Sequence, residues 1–122
     1  MQLDAKREIT VVPYAVYLND IRAYEARFMA DVNFLDNLKR SFDQLYAEAG
    51  TRRRMMAITM HDRLVRPEHA LTMAEALRYM LKHPGVTFMK KVDIANYITS
   101  AKDAIREPIG AVYPTIPGLY RG

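Results

Sequence analysis

The stretch Arg54–Val65, RMMAITMHDRLV, decides how the chain is read. Residues 54–60 form a short apolar run that suits a buried β-strand. An ionisable ring, His61, ends the run, and the polar loop Asp62–Arg66 follows. A histidine at the carboxyl end of a buried strand can be an acid–base group, or it can hydrogen-bond a loop carbonyl. The spacing alone leaves both open.

Working outward, Arg66–Gly85 reads as a helix. Pro67 fits the first turn, Glu68 lies by the positive end of the dipole, and Pro84–Gly85 stops the helix. Leu71, Ala74, Leu77 and Leu81 are its expected inward stripe. Residues 86–91, VTFMKK, read as a further strand. Asp93 is expected to cap a last helix that Pro108 ends. Upstream, residues 33–49 place Phe34, Leu35, Leu38, Phe42, Leu45 and Tyr46 at helical spacing, with Asp31 or Asn33 as cap and Gly50 as stop. Residues 8–18, EITVVPYAVYL, are β-branched and aromatic in both parities, as in a strand buried on both faces. Pro13 interrupts that strand by removing one donor. Residues 19–30 read as a loop with a short helical turn.

The predicted order is therefore β-α-β-α-β-α, an α/β fold with parallel strands and right-handed crossovers. Three such strands make an incomplete sheet. Either the chain is a sector of a larger β/α barrel, or it is a small open three-layer α/β domain that hides its edges by association. Residues 1–106 read as one α/β domain and residues 107–122 as a Pro/Gly-rich arm. In the barrel reading, His61, the pair Asn19–Asp20, and Lys90–Lys91 converge on one rim.

With 122 residues, the chain suffices for one core. It has no cysteine, which excludes disulfides, thiol nucleophiles and zinc ribbons. The eight methionines fall mostly in apolar runs and read as core filling. The net charge of +4 is modest, and its one dense cluster, Arg52–Arg54, reads as a solvated loop. Neither nucleic acid nor a membrane is an expected partner. The N-terminal residues mix acids and bases without an apolar run, so no secretory signal is read and a cytoplasmic location is expected.

No complete metal site is expected within this chain. His61, His69 and His83 do not share a helix face at ligand spacing, and H-x-x-x-H and H-E-x-x-H are absent. In LNDIR, the side chains of Asn19, Asp20 and Arg22 can orient a polar substrate, or they can cap the segment that follows. Nucleophile-elbow, P-loop and dinucleotide fingerprints are absent as well.

Several landmarks occur in one order: VPYAVYLNDIR, FLDNLKRSFDQLYAE, RRRMMAITMH and HPGVTF with DIANY. Over roughly residues 10–97 the chain resembles the C-terminal part of the polysaccharide deacetylase (NodB-homology) superfamily. It is most similar to the allantoinase-like and cyclic-imide-hydrolase-like branch. The resemblance implies the C-terminal sector of a deformed (β/α) barrel that hydrolyses amide, acetamido or cyclic ureide C–N bonds. It implies His61 as the acid that protonates the departing amine, and Asn19 and Asp20 as pocket-lining residues; with these, Arg22 and Arg66 are the candidate substrate-binding residues. It also implies a divalent metal, such as zinc, held by an earlier half of the domain that supplies the base, so that this chain binds no cofactor alone. The sequence departs from the family pattern at Val65, where a glycine is usual, at His69, where an arginine is usual, and at Thr87, where an aromatic residue is common.

The leading expectation is thus the C-terminal portion of a deacetylase-like hydrolase, idle until a complementary N-terminal half joins it. The alternative is a non-catalytic module that self-associates through its sheet edges, with the C-terminal arm as a clasp.

Overall fold

Pro67 does what its ring dictates. It opens a helix at the first position, where its missing N–H costs no hydrogen bond. The computed structural model describes residues 2–4, 7–26, 28 and 30–104, with side chains from residue 9 onward. The arm 107–122 lies outside these residues. The chain divides into two compact units.

The first unit spans Pro13–Phe88. Its frame is two helices packed on each other, α1 (Asp31–Glu48) and α2 (Pro67–Leu81). In α1 the buried side chains are Phe34, Leu38 and Phe42, at the four-residue spacing that keeps one face inward, with Leu35 and Tyr46 packed beside them. The helix has no side-chain cap; Ala30 holds the cap position, and neither Asp31 nor Asn33 fills it. In α2 the inward residues are His69, Thr72, Ala76 and Met80. The expected stripe was rotated: Leu71 and Leu81 are 69% and 64% exposed. The winning face carries the small Ala76, fully buried, against which a neighbouring helix can approach closely. The helix ends at Leu81 with Lys82 as its cap, and the turn that follows reaches Gly85, whose φ of +81° is the left-handed conformation that glycine adopts without penalty.

Residues 53–61 contain no helix; within them Thr59 pairs in a bridge and His61 is extended. Met56, Ile58 and Met60, at alternate positions, all pack against the core. Leu18, 1% exposed, and Ala23 complete that core. The two segments meet at one parallel bridge between Asn19 and Thr59. There the Thr59 N–H donates to the Leu18 carbonyl (3.0 Å) and the Asp20 N–H to the Thr59 carbonyl (3.2 Å).

The parallel β-α-β-α-β-α sheet is not formed. The described residues are mostly helical, and among them neither a barrel sector nor an open three-layer sheet is present. Among the described residues, the strands expected over 8–18, 54–60 and 86–91 form one bridge and no ladder with one another; only Glu8 of these ranges lies in a paired strand. Apolarity in both parities suggested strands covered on both faces. In fact they are not so covered: Val16, Tyr17 and Phe88 are exposed, and residues 54–60 are only half-buried. The chain also leaves the bridge at once, into a π-helix after Asp20 and a 3₁₀ turn after His61.

In the second unit, β1 (Gln2–Asp4) and β2 (Arg7–Glu8) pair antiparallel, with Gln2 opposite Glu8 and Asp4 opposite Arg7. Helix α3 (Lys91–Ser100) follows Lys90 at the cap position; Asp93 lies in the first turn and is not the cap. The hydroxyls of Thr10 and Thr99 are 3.0 Å apart. Lys90 and Lys91 start this helix and do not end a strand. Among the described residues, no helix is long and apolar enough to cross a membrane.

Candidate functional site

The single bridge fixes two chain ends side by side. One enters the π-helix Ile21–Glu25 through Asp20, and the other enters the 3₁₀ turn Asp62–Leu64 through His61. A π-helix is rare, and short ones recur at functional sites. Here the Ala26 N–H closes the wide turn on the Ile21 carbonyl at 3.0 Å.

Asp20 is fully buried. Its Oδ2 accepts the backbone N–H of His61 at 2.6 Å. Its Oδ1 accepts the Ile21 N–H at 2.8 Å and lies 2.6 Å from Nδ1 of His61. A buried carboxylate is expensive unless its oxygens are hydrogen-bonded, and all three donors here converge on one group. A carboxylate accepts, so the His61 proton is assigned to Nδ1, which leaves Nε2 as the working nitrogen. The His61 side chain is 32% exposed, against 0% for that of Asp20. One partner is locked inside while the other reaches solvent. Such a ring can exchange a proton at Nε2 while the carboxylate behind it offsets the charge.

Asn19 supports the pair from behind. Its Oδ1 also accepts the Ile21 N–H (3.0 Å), and its Nδ2 donates to the Tyr14 hydroxyl (2.6 Å). In front, Arg63 grips Glu25 with two guanidinium nitrogens at 2.6 and 3.2 Å, which joins the far end of the π-helix to the 3₁₀ turn. The Arg63 hydrogen bonds hold the Glu25 carboxyl below its ordinary range, and Glu25 in turn pushes Arg63 up.

Beside the dyad, Tyr24 donates to Asp31 at 2.6 Å and stacks on His69, ring centres 3.7 Å apart and planes within 4°. Burial, then the hydrogen bond to Asp31, pushes the Tyr24 phenol well above the usual tyrosine range; Asp20 adds to the same shift. His69 donates through Nδ1 to the Leu64 carbonyl at 2.7 Å, and its Nε2 lies 3.8 Å from Asp31.

Of the residues the sequence proposed, the structure brings His61, Asp20 and Asn19 together. Asp20 serves as the partner of His61, and its oxygens point to that ring and to the backbone. Arg22 is exposed on the π-helix, and Arg66 is exposed at the cap position of α2. Neither is bonded to the dyad among the described residues. Sequence reasoning missed the Glu25–Arg63 fork and the Tyr24–His69–Asp31 cluster.

Asp20 already accepts three hydrogen bonds from protein groups, and among the described residues there is no group of three or more His, Cys, Asp or Glu side chains that could hold a metal ion.

No protein-family model matches the chain, and neither a curated protein nor a solved structure matches it.

Proposed function

We propose that this chain supplies the acid–base histidine of a hydrolase for non-peptide C–N bonds, of the amide, acetamido or cyclic ureide kind. The observation that carries the reading is the buried Asp20, which holds His61 by both its backbone N–H and its ring Nδ1. The ordered motifs that resemble polysaccharide deacetylases support the same chemistry. They also point to a complementary half as the source of the water-activating base and the metal. No part of this reading needs a barrel built from this chain.

As the tetrahedral adduct collapses, the C–N bond breaks and its electron pair passes to nitrogen. Nε2 of His61 delivers the proton that turns the amine into a leaving group. Asp20 keeps the ring oriented throughout and offsets its charge while it is protonated. General acid catalysis of this kind contributes roughly 10²–10⁴-fold.

The test is an assay on acetamido sugars and cyclic ureides with divalent metals, with and without a deacetylase N-terminal half carrying the His-x-x-x-His pair. The expected result is no turnover alone, and turnover on mixing that His61→Ala abolishes. Turnover by the chain alone, or complemented turnover indifferent to His61→Ala, contradicts the reading.

A second reading has its own observation. Tyr14, Val16, Tyr17, Val65, Leu71, Leu81 and Phe88 of the first unit are exposed, which suits a module that associates without catalysis. The contacts would be made by side chains, since the expected sheet edges are absent. Light scattering separates the two: a stable homodimer that gains no activity on mixing favours association alone.

A further inference from the structure

His69 lies outside the dyad, yet four elements meet at its ring. The residue belongs to α2 and is 8% exposed. Its Nδ1 donates to the carbonyl of Leu64, the last residue of the 3₁₀ turn (2.7 Å). The N–H of that same Leu64 donates to the carbonyl of His61 at 2.9 Å. Two hydrogen bonds therefore run in series from the His69 ring to the backbone of His61. On its face, His69 carries Tyr24, three residues into the π-helix that Asp20 opens. Tyr24 in turn is tied to Asp31 in the first turn of α1.

These contacts close a circuit. From Asp20 the chain leads through the π-helix to Tyr24, by stacking to His69, by hydrogen bonds to Leu64 and His61, and by the 2.6 Å bonds back to Asp20. The Asn19–Thr59 bridge pins only the entry of the two segments. Beyond that bridge the 3₁₀ turn is short, and such turns are weakly held on their own. His69 is the buried side chain that anchors it from the α2 side.

We infer that His69 is a positioning residue for His61: its Nδ1–H and its stack on Tyr24 hold the 3₁₀ turn so that the His61 ring stays seated on Asp20. This deepens the proposed function and rests on His61 being its working group. Carbon–nitrogen hydrolysis would lose kcat and keep KM when His69 is altered, because His69 is buried and acts on His61 through the turn.

The test reads the His61 Nδ1 proton of the full chain by ¹H–¹⁵N NMR, so it needs no turnover. His69→Phe keeps a flat ring for Tyr24 and removes the donor. His69→Asn keeps a donor near the Nδ1 position, and His69→Gln moves it away. In His69→Phe the Nδ1 proton of His61 is expected to exchange with solvent roughly five- to tenfold faster, the change that loss of one ordinary hydrogen bond produces. His69→Asn is expected to restore slow exchange, and His69→Gln is not. Should His69→Phe fail to fold, the Asn and Gln pair decides the matter. Slow exchange in His69→Phe or His69→Gln, equal to the unaltered protein, overturns the inference. Because the readout is independent of catalysis, a chain that never turns over leaves this result interpretable.

Discussion

Asp20 holds His61 twice, at 2.6 Å to the backbone nitrogen and 2.6 Å to ring Nδ1, across 41 residues of sequence. One contact fixes the chain and the other fixes the side chain. The two roles separate in stability. Asp20→Ala leaves the His61 N–H and Nδ1–H without their acceptor, while the Ile21 N–H keeps the Asn19 Oδ1, and is expected to cost about 2–5 kcal/mol. His61→Ala keeps both backbone donors on Asp20 and opens the carboxylate to water, and is expected to cost about 1–3 kcal/mol. Urea denaturation of the two variants checks the order. An equal or reversed order would mean that Asp20 is not the structural anchor.

The inward face of α2 gives a second check. Met80 is 3% exposed and Leu81 64% exposed, adjacent in sequence and opposite in fate. Met80→Ala is expected to destabilise by about 2–5 kcal/mol, as buried large-to-small changes do. Leu81→Ala is expected to stay within about 0.5 kcal/mol. Thermal melts of both variants report it; comparable losses would restore the face first read from the sequence.

That face shows how far the sequence carried. Helix α1 was legible because Phe34, Leu38 and Phe42 are large and separated by single turns, so that only one face could be inward. In α2 the periodicity was ambiguous. Leucines at 71, 77 and 81 outweigh Ala76 in any hydropathy count, but close helix packing selects the small residue. The apolar runs at 8–18 and 54–60 were read as strands because their composition suits one. Strand formation also needs a paired neighbour along its length, and here the neighbours part after one bridge. His61 and Asp20 were both picked out, since an imidazole ending an apolar run and an acid ending another can meet only where those runs touch. Their direct pairing was not legible, because it depends on the π-helix and the 3₁₀ turn, neither of which has a sequence periodicity long enough to read.

Tyr24 makes stability depend on alkaline pH. Its phenol is pushed above the ordinary value of 10.0 by burial and by Asp31. The folded state therefore holds a proton that the unfolded state releases. The contribution is fully present below about pH 10 and is lost as pH rises toward the folded value. Tyr79, raised through its hydrogen bond to Asp43, acts in the same direction. Tyr24→Phe is expected to flatten the fall in melting temperature above pH 10, and Tyr79→Phe to add a smaller change. Melts between pH 8 and 11 measure it; an unaltered slope in Tyr24→Phe would show that the phenol is not held in its protonated form.

The Glu25–Arg63 fork joins the same two elements on the surface, where solvent screens it. Arg63→Ala is expected to move the melting temperature far less than Asp20→Ala, and the difference between Arg63→Ala and the unaltered protein is expected to shrink in high salt. Melts at low and high salt check this; a loss comparable to that of Asp20→Ala, unaffected by salt, would place the fork among the anchors of the site.

The most direct measurement is the tautomer of His61, read from ring ¹⁵N shifts and the Nδ1 proton in the folded chain. The dyad requires the neutral ring to carry its proton on Nδ1, with Nε2 bare, and requires Asp20→Asn to move that proton to Nε2 or to abolish the fixed tautomer. A neutral His61 with its proton on Nε2 in the unaltered protein, or a ring indifferent to Asp20→Asn, would contradict the account.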